Sequence, residues 1–130
     1  MSYDLMVFAA DKAPAKKRGP FLDWYDHQSE WEENHDYDDP VVCTPALRAF
    51  YEELVQAFPP LQTEEGPGTD YTIGSMLIYM SFEWDKVDEA HEAVFRIAGK
   101  YALGFFDVSS DLAETLLPDG KGGLYIAHSD

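Results

Sequence analysis

The most constraining stretch of the sequence runs from Tyr71 to Val108, where a strand pattern, a helix pattern and a second strand pattern follow one another. In the first strand pattern the even positions from Met76 to Trp84 are all apolar, whereas the odd positions become increasingly polar. Because successive side chains of a β-strand point to opposite faces of its sheet, one face must be apolar and the other mixed. Apolar residues then recur at helical spacing, which indicates a helix lying on the apolar face.

Two helices carry clear start and stop signals. Thr44 followed by Pro45 is a typical start, with a threonine N-cap and a proline in the first turn, and prolines at 59 and 60 stop the apolar pattern that follows. For the helix that follows Met76–Trp84, Asp85 is the predicted N-cap, and Gly104 is placed for a left-handed C-terminal cap. We therefore expect two amphipathic helices packed on a sheet.

The remaining segments predict one further helix and several short strands. Tyr3–Ala9 is apolar on both faces, as expected of a central strand covered on both sides. A first helix is predicted from Gly19-Pro20 to about Glu33. Towards the C-terminus, Glu114–Leu117 predicts a short edge strand and Leu124–Ala127 a last strand.

Glycine and serine at positions 74 and 75 separate Asp70–Ile73 from Met76–Trp84. They predict a tight two-residue hairpin turn or, alternatively, one long strand with a bulge. The element order is then β–α–α–β–β–α–β followed by a C-terminal strand. This order predicts one α+β domain over residues 1–130, a ferredoxin-like sandwich with a mainly antiparallel sheet and helices on one face.

The chain is strongly acidic, with 25 acids, nine bases and a formal net charge of −16. Such a field repels nucleic-acid phosphates and anionic lipid, so we expect no binding to nucleic acid or membrane, and it attracts basic proteins. Acidity equally serves solubility alone. The lone Cys43, the lack of a membrane-length apolar run and the lack of a basic secretory n-region predict a cytoplasmic protein.

The acidic charge is concentrated between Arg18 and Arg48, where eight acids occur without a base and are interleaved with tryptophan and tyrosine. Aromatic anchors among steering charges are typical of protein-binding surfaces. The alternative is that the aromatic residues form the buried stripe of the first helix and the acids its solvated face. The predicted partner-binding residues are Trp31, Glu32, Glu33, Asp36, Tyr37, Asp38 and Asp39.

Metal and catalytic sites find little support in the residues. His35 and the neighbouring aspartates supply ligand atoms, but their spacing matches no EF-hand loop, and we expect no metal or cofactor. No nucleophile motif, phosphate-binding glycine loop or Cys-x-x-Cys motif occurs. If the domain instead binds a small molecule or acts as a cofactor-free enzyme, Tyr79 and His91 are the predicted lining residues on the mixed sheet face and the third helix.

The opening residues Met1 to Phe8 resemble a group of small bacterial proteins that begin in the same way. The likeness extends to Phe21-Leu22-Asp23-Trp24-Tyr25, Tyr37-Asp38-Asp39-Pro40, Thr44-Pro45-Ala46-Leu47 and Gly104-Phe105-Phe106-Asp107-Val108. It would cover most of the chain, to about Pro118. The resemblance implies an immunity protein that inhibits an antibacterial toxin, but it assigns no contact residues.

Two hypotheses follow. The first is an acidic cytoplasmic protein that binds and neutralises a basic partner, most concretely an immunity protein facing a toxin domain. The second is a ferredoxin-like domain that binds a small molecule or catalyses a reaction without a cofactor. A predicted edge strand and an exposed Tyr79 would also permit a homodimer.

Overall fold

The computed structural model describes residues 2–33, 37, 39–61 and 68–129. The chain forms a six-stranded antiparallel sheet with helices on both faces. In chain order the elements are β1 (Ser2–Phe8), α1 (Arg18–Gln28), α2 (Pro45–Leu54), β2 (Asp70–Ile73), β3 (Leu77–Glu83), α3 (Val87–Lys100), β4 (Gly104–Phe106), β5 (Thr115–Pro118) and β6 (Leu124–His128). The predicted α+β class and antiparallel sheet are confirmed.

The strands follow the order β2-β3-β1-β4-β5-β6 across the sheet. β1 is central, as predicted, and pairs with β3 from Ser2 opposite Glu83 to Phe8 opposite Leu77. On its other side β1 pairs with β4. Because β1 is covered on both faces, each of its side chains from Leu5 to Phe8 is fully buried.

The sheet separates two cores. On one face lies the α2/α3-side core, which includes Leu5, Ile78, Leu47 and Val94. On the other lies the α1-side core, which includes Phe21. The expectation of helices on one face is therefore wrong for α1. On this second face, Leu77 and Tyr79 of β3 lie beside Met6 and Phe8 of β1. Together they form an apolar surface, and α1 packs over it.

The α2 start is confirmed, since the Thr44 hydroxyl accepts the Leu47 N–H at 3.4 Å. The predicted caps of α3 are wrong. Asp85 lies in a short 3-10 turn ahead of the helix, and the left-handed residue after α3 is Ala102, with φ of 54°. Gly104 instead lies in β4 against Phe8, where a Cβ would overlap the ring.

The β2–β3 connection is a hairpin, which excludes the single bulged strand. Its two-residue turn is Ser75-Met76, one position later than predicted, because the Gly74 N–H donates to the Leu77 carbonyl at 2.9 Å. β5 is not an edge strand, since β6 pairs with it on its outer side. Among the described helices, none is long and apolar enough to cross a membrane.

Candidate functional site

The chain reverses direction just after α1, at Trp31. α1 ends at Gln28 rather than near Glu33, and Trp31 has a φ of 53°. Positive φ is uncommon for a bulky side chain and needs support from tertiary contacts. The support comes from the sheet, since this turn lays the indole on the α1-side core.

Trp31 lies between two tyrosine rings. Its ring centroid is 5.5 Å from that of Tyr37 and 6.2 Å from that of Tyr79, and both pairs meet nearly edge to face. This geometry is favourable for aromatic pairs. Three of the predicted residues, from two separate segments, are thus brought into one cluster, and all three are half-buried.

The hydroxyl of Tyr79 donates a hydrogen bond of 2.6 Å to Oδ2 of Asp4. Burial, reinforced by this bond to a carboxylate, raises the pKa of Tyr79 well above its ordinary value. Burial also raises the pKa of Tyr25, whose side chain is hydrogen-bonded to Tyr79. Tyr79 is therefore a protonated, half-buried packing residue, and it is not the exposed residue expected from the sequence.

Glu33 connects this region to the β2–β3 hairpin. Its Oε1 accepts the Ser75 N–H at 2.9 Å, and its Oε2 accepts the Ser75 hydroxyl at 2.7 Å. The Glu33 N–H donates to the Tyr37 hydroxyl at 2.7 Å, while the Tyr37 carbonyl accepts the Ile73 N–H at 2.8 Å. Both carboxylate oxygens of Glu33 are thus hydrogen-bonded within the protein, to Ser75.

The outer face of α1 is acidic and exposed. Asp23, Asp26 and His27 follow at helical spacing, and Glu30 and Glu32 continue the exposed acids beyond the helix. Their one described ion pair is weak, since His27 Nδ1 lies 3.9 Å from Glu30 Oε2 on an open surface. We call these four carboxylates, of Asp23, Asp26, Glu30 and Glu32, the acidic face.

The other predicted acids are placed differently. Asp39 is exposed, and its Oδ1 accepts the Val41 N–H at 3.0 Å, which caps a short 3-10 turn. Val41 itself is an exposed apolar side chain beside it. Asp36 and Asp38, like His35, lie outside the described residues.

His91 is on the opposite side of the sheet from Tyr79. Its Nε2 lies 3.4 Å from Oδ2 of Asp107, a buried carboxylate whose Oδ1 has no hydrogen-bond partner among the described residues. Burial raises the pKa of Asp107, and the nearby His91 partly offsets this. His91 also lines a cleft of about 540 Å³ together with Phe95, Arg96 and Gly122-Gly123. The two predicted ligand-lining residues therefore do not share a site.

A second cleft, of about 650 Å³, lies beside β6 on the α1 side. Lys16 and Lys17 line it with Asp11, Tyr125 and several small apolar residues. Next to this cleft, His128 of β6 is hydrogen-bonded to Arg18 and Ala15, which links β6 to the segment before α1. Arg18 Nη1 donates to Nδ1 of His128 at 3.3 Å, so its Nε2–H donates to the Ala15 carbonyl at 3.0 Å.

Sequence reasoning missed the partners that complete these contacts. Asp4 and Asp107 are acids within or next to apolar strands, which is the one signal that could have marked them. Nothing in the sequence indicates that Ser75 meets Glu33, because 42 residues separate them. In the described parts of the chain, no three histidine, cysteine, aspartate or glutamate side chains are arranged to hold a metal ion.

No protein-family model matches the sequence, and neither a curated protein nor a solved structure matches it significantly.

Proposed function

We propose that the protein binds and neutralises a basic partner protein through the acidic face. The observation that carries this proposal is the exposure of four carboxylates within ten residues, with Asp23 and Asp26 on α1 and Glu30 and Glu32 in the turn after it. No lysine or arginine occurs between residues 19 and 47 to neutralise them. Such a surface accelerates encounter with a positively charged partner and repels anionic ones.

The rings of Trp31, Tyr37 and Tyr79 fix the segment that carries Glu32. Trp31 and Tyr37 are half-buried, and Glu33 is bound to Ser75, so these residues give the segment after α1 a defined course. A surface held in one conformation loses less entropy on binding. In this proposal Glu32 and Asp39 are direct contacts, while Trp31, Glu33 and Tyr37 position them.

The resemblance to small bacterial immunity proteins supports a toxin domain as the partner and the cytoplasm as the place of binding. The strand order β2-β3-β1-β4 supports a ferredoxin-like arrangement of the first four strands. β5, β6 and the placement of α1 on the opposite face are additions to that arrangement.

The experiment compares two variants that lose the same charge. The first carries Asp23→Asn, Asp26→Asn, Glu30→Gln and Glu32→Gln. The control neutralises four exposed acids elsewhere, Glu52→Gln, Asp70→Asn, Glu89→Gln and Asp111→Asn. Each is immobilised and used to capture proteins from lysate and secretions of the native organism, and the captured partner is then purified for binding kinetics.

We expect wild type and control to capture the same basic protein and the acidic-face variant to lose it. At low ionic strength the association rate constant should fall at least tenfold for the variant, and its dependence on salt should weaken. Equal kinetics for the two neutralised variants would exclude the acidic face, and capture of an acidic partner would exclude the charge argument itself.

The small-molecule alternative keeps one supporting observation, the cleft of about 540 Å³ beside His91. A metabolite that raises the unfolding temperature of wild type but not of His91→Ala would favour it. Tyr79 would not take part, since its ring lies against Trp31 and its hydroxyl is bonded to Asp4.

A further inference from the structure

The last strand, β6, is an edge strand that lacks protecting charges and prolines. It pairs with β5 on one side, and no described residue pairs with its outer side. Its residues, Leu124 to His128, include no lysine, proline or acid, which are the residues that commonly block edge pairing. The other edge strand, β2, is partly covered, because its Ile73 N–H donates to the Tyr37 carbonyl at 2.8 Å.

Exposed apolar side chains gather at the same edge. Tyr125 is 47% exposed and Ile126 is 56% exposed, and they project to opposite faces of the sheet, as their partners Leu117 and Leu116 do. Phe95, 37% exposed, lines the cleft that begins at the glycines just before β6. A free strand edge flanked by apolar groups on both faces is an interaction surface.

The charge around β6 indicates which partner fits. The strand itself is uncharged, Lys121 precedes it, and Lys16 and Lys17 line the neighbouring cleft. The carboxylate of Asp119 is occupied by the N–H groups of Lys121 and Gly123, at 2.7 Å and 3.1 Å. In a chain of net charge −16, the β6 edge itself therefore carries little of the negative charge that would repel a second copy.

We propose that two copies of the chain pair β6 with β6 across a two-fold axis and join their sheets. A bulge at Ala127 interrupts the strand, so the regular part is Leu124 to Ile126 and the axis passes through Tyr125. Tyr125 then faces the partner's Tyr125, and Leu124 faces the partner's Ile126. An antiparallel pair of this kind is self-complementary, as a two-fold interface requires.

This pairing is independent of the proposed function, because it uses the backbone edge of β6 and none of the four carboxylates of the acidic face. Its salt dependence also has the opposite sign. Two chains of charge −16 repel each other at long range, so added salt should strengthen the dimer, whereas it should weaken capture of a basic partner.

Sedimentation velocity from 1 to 500 µM tests the proposal with Ile126→Lys and, as a matched control, Leu112→Lys, whose side chain is also about half exposed. Wild type and control should dimerise, and Ile126→Lys should raise the dissociation constant at least tenfold. A wild type that stays monomeric throughout overturns the proposal and leaves the edge to a different protein strand. Equal dimerisation of both variants overturns β6 as the interface.

Disulfide trapping tests the register. In a Cys43→Ala background, Tyr125→Cys places two thiols on facing strand positions, where Cα atoms lie about 4.5–5.5 Å apart and a disulfide can close. Mild oxidation should convert most of this variant to a covalent dimer but leave Cys43→Ala/Leu112→Cys monomeric. If the two variants cross-link to the same extent, the two-fold pairing through Tyr125 is wrong.

Discussion

The two faces of the sheet are packed in different ways, although the same strands supply both. On one face, α2 and α3 bury aliphatic stripes, with Leu47, Leu54 and Val94 fully enclosed. On the other face, Phe21 is the one fully buried residue of α1. The other α1 side chains that pack there, Leu22, Trp24 and Tyr25, are half-buried. The first face depends on helical periodicity and the second on individual contacts.

Those individual contacts tie α1 and its flanks to distant parts of the chain. Arg18 donates to the Ala113 carbonyl at 3.2 Å, and Glu33 holds Ser75 on the β2–β3 hairpin. Aromatic contacts reach from Phe21 to Phe106, with centroids 5.1 Å apart. A helix held by few buried side chains and several polar ties should open more readily than one held by a continuous stripe.

The largest expected effect comes from truncating one phenylalanine on each face. Phe21→Ala and Phe50→Ala should each lower the free energy of unfolding by about 3–5 kcal/mol. Hydrogen exchange should separate them, because Phe21→Ala exposes mainly the α1 amides while Phe50→Ala weakens protection throughout β1 and β3. Uniform loss of protection in both variants, measured beside urea unfolding, would remove the distinction between the faces.

Gly104→Ala should have the next largest effect. A Cβ at this position overlaps the Phe8 ring, which is itself packed against Phe21, so the α1 side must rearrange at a cost of about 1–3 kcal/mol. Urea unfolding measures the loss, and Phe8→Leu in the same chain should recover part of it. Gly19→Ala, where the new methyl group meets nothing within 4 Å, is the matched control and should not destabilise. An equal loss in that control would point to backbone effects instead.

Removing the contact between Glu33 and Ser75 should have a smaller effect. In a double-mutant cycle with Glu33→Gln and Ser75→Ala, we expect a coupling free energy of about 1 kcal/mol, because Ser75→Ala removes the hydroxyl that donates to Oε2 of Glu33 and leaves the backbone N–H in place. Chemical denaturation of the four proteins measures it. Additive effects would show that the two residues act separately.

The smallest expected effect is on how stability changes with pH. One titratable group on each face should change the free energy of unfolding with pH, and the two changes should have opposite signs. Burial lowers the pKa of His128 on the α1 side, so its stabilising contribution is complete above about pH 6.5 and is lost as the pH falls through the lowered pKa. Burial raises the pKa of Asp107, so its contribution is complete at low pH and is lost as the pH rises through the raised pKa.

Denaturation curves between pH 3.5 and 8 test this contrast. The difference between wild type and His128→Gln should shrink on acidification, whereas Asp107→Asn should become relatively more stable than wild type as the pH rises. Parallel curves for wild type and both variants would mean that neither group titrates differently in the folded chain.

Local patterns predicted the elements well where neighbouring residues decide them. Alternation placed Ile78, Met80 and Phe82 on the face that α2 and α3 cover, and Thr44 caps α2 as expected. Local patterns failed where a contact across the fold decides the geometry. Gly104 looks like a helix cap, but Phe8 requires it, and Trp31 looks helical, but Tyr79 and Tyr37 hold it in a turn.

The candidate site shows the same division. The sequence alone showed that acids are concentrated between Arg18 and Arg48, and it predicted a positively charged partner. It could not show that Glu33 is engaged by Ser75 while Glu32 is exposed, since both are acids of the same segment. Burial depends on which distant residue arrives next to a side chain.

The sequence by itself determined the α+β class, the central position of β1, the two amphipathic helices and the acidic charge. These depend on residue spacing and composition, which a single chain displays along its length. Only the tertiary structure decided that α1 covers the opposite face, that Trp31 turns onto Tyr79 and that β6 is left as a bare edge. Each of these depends on pairing between residues far apart in the chain, and periodicity carries no information about such partners.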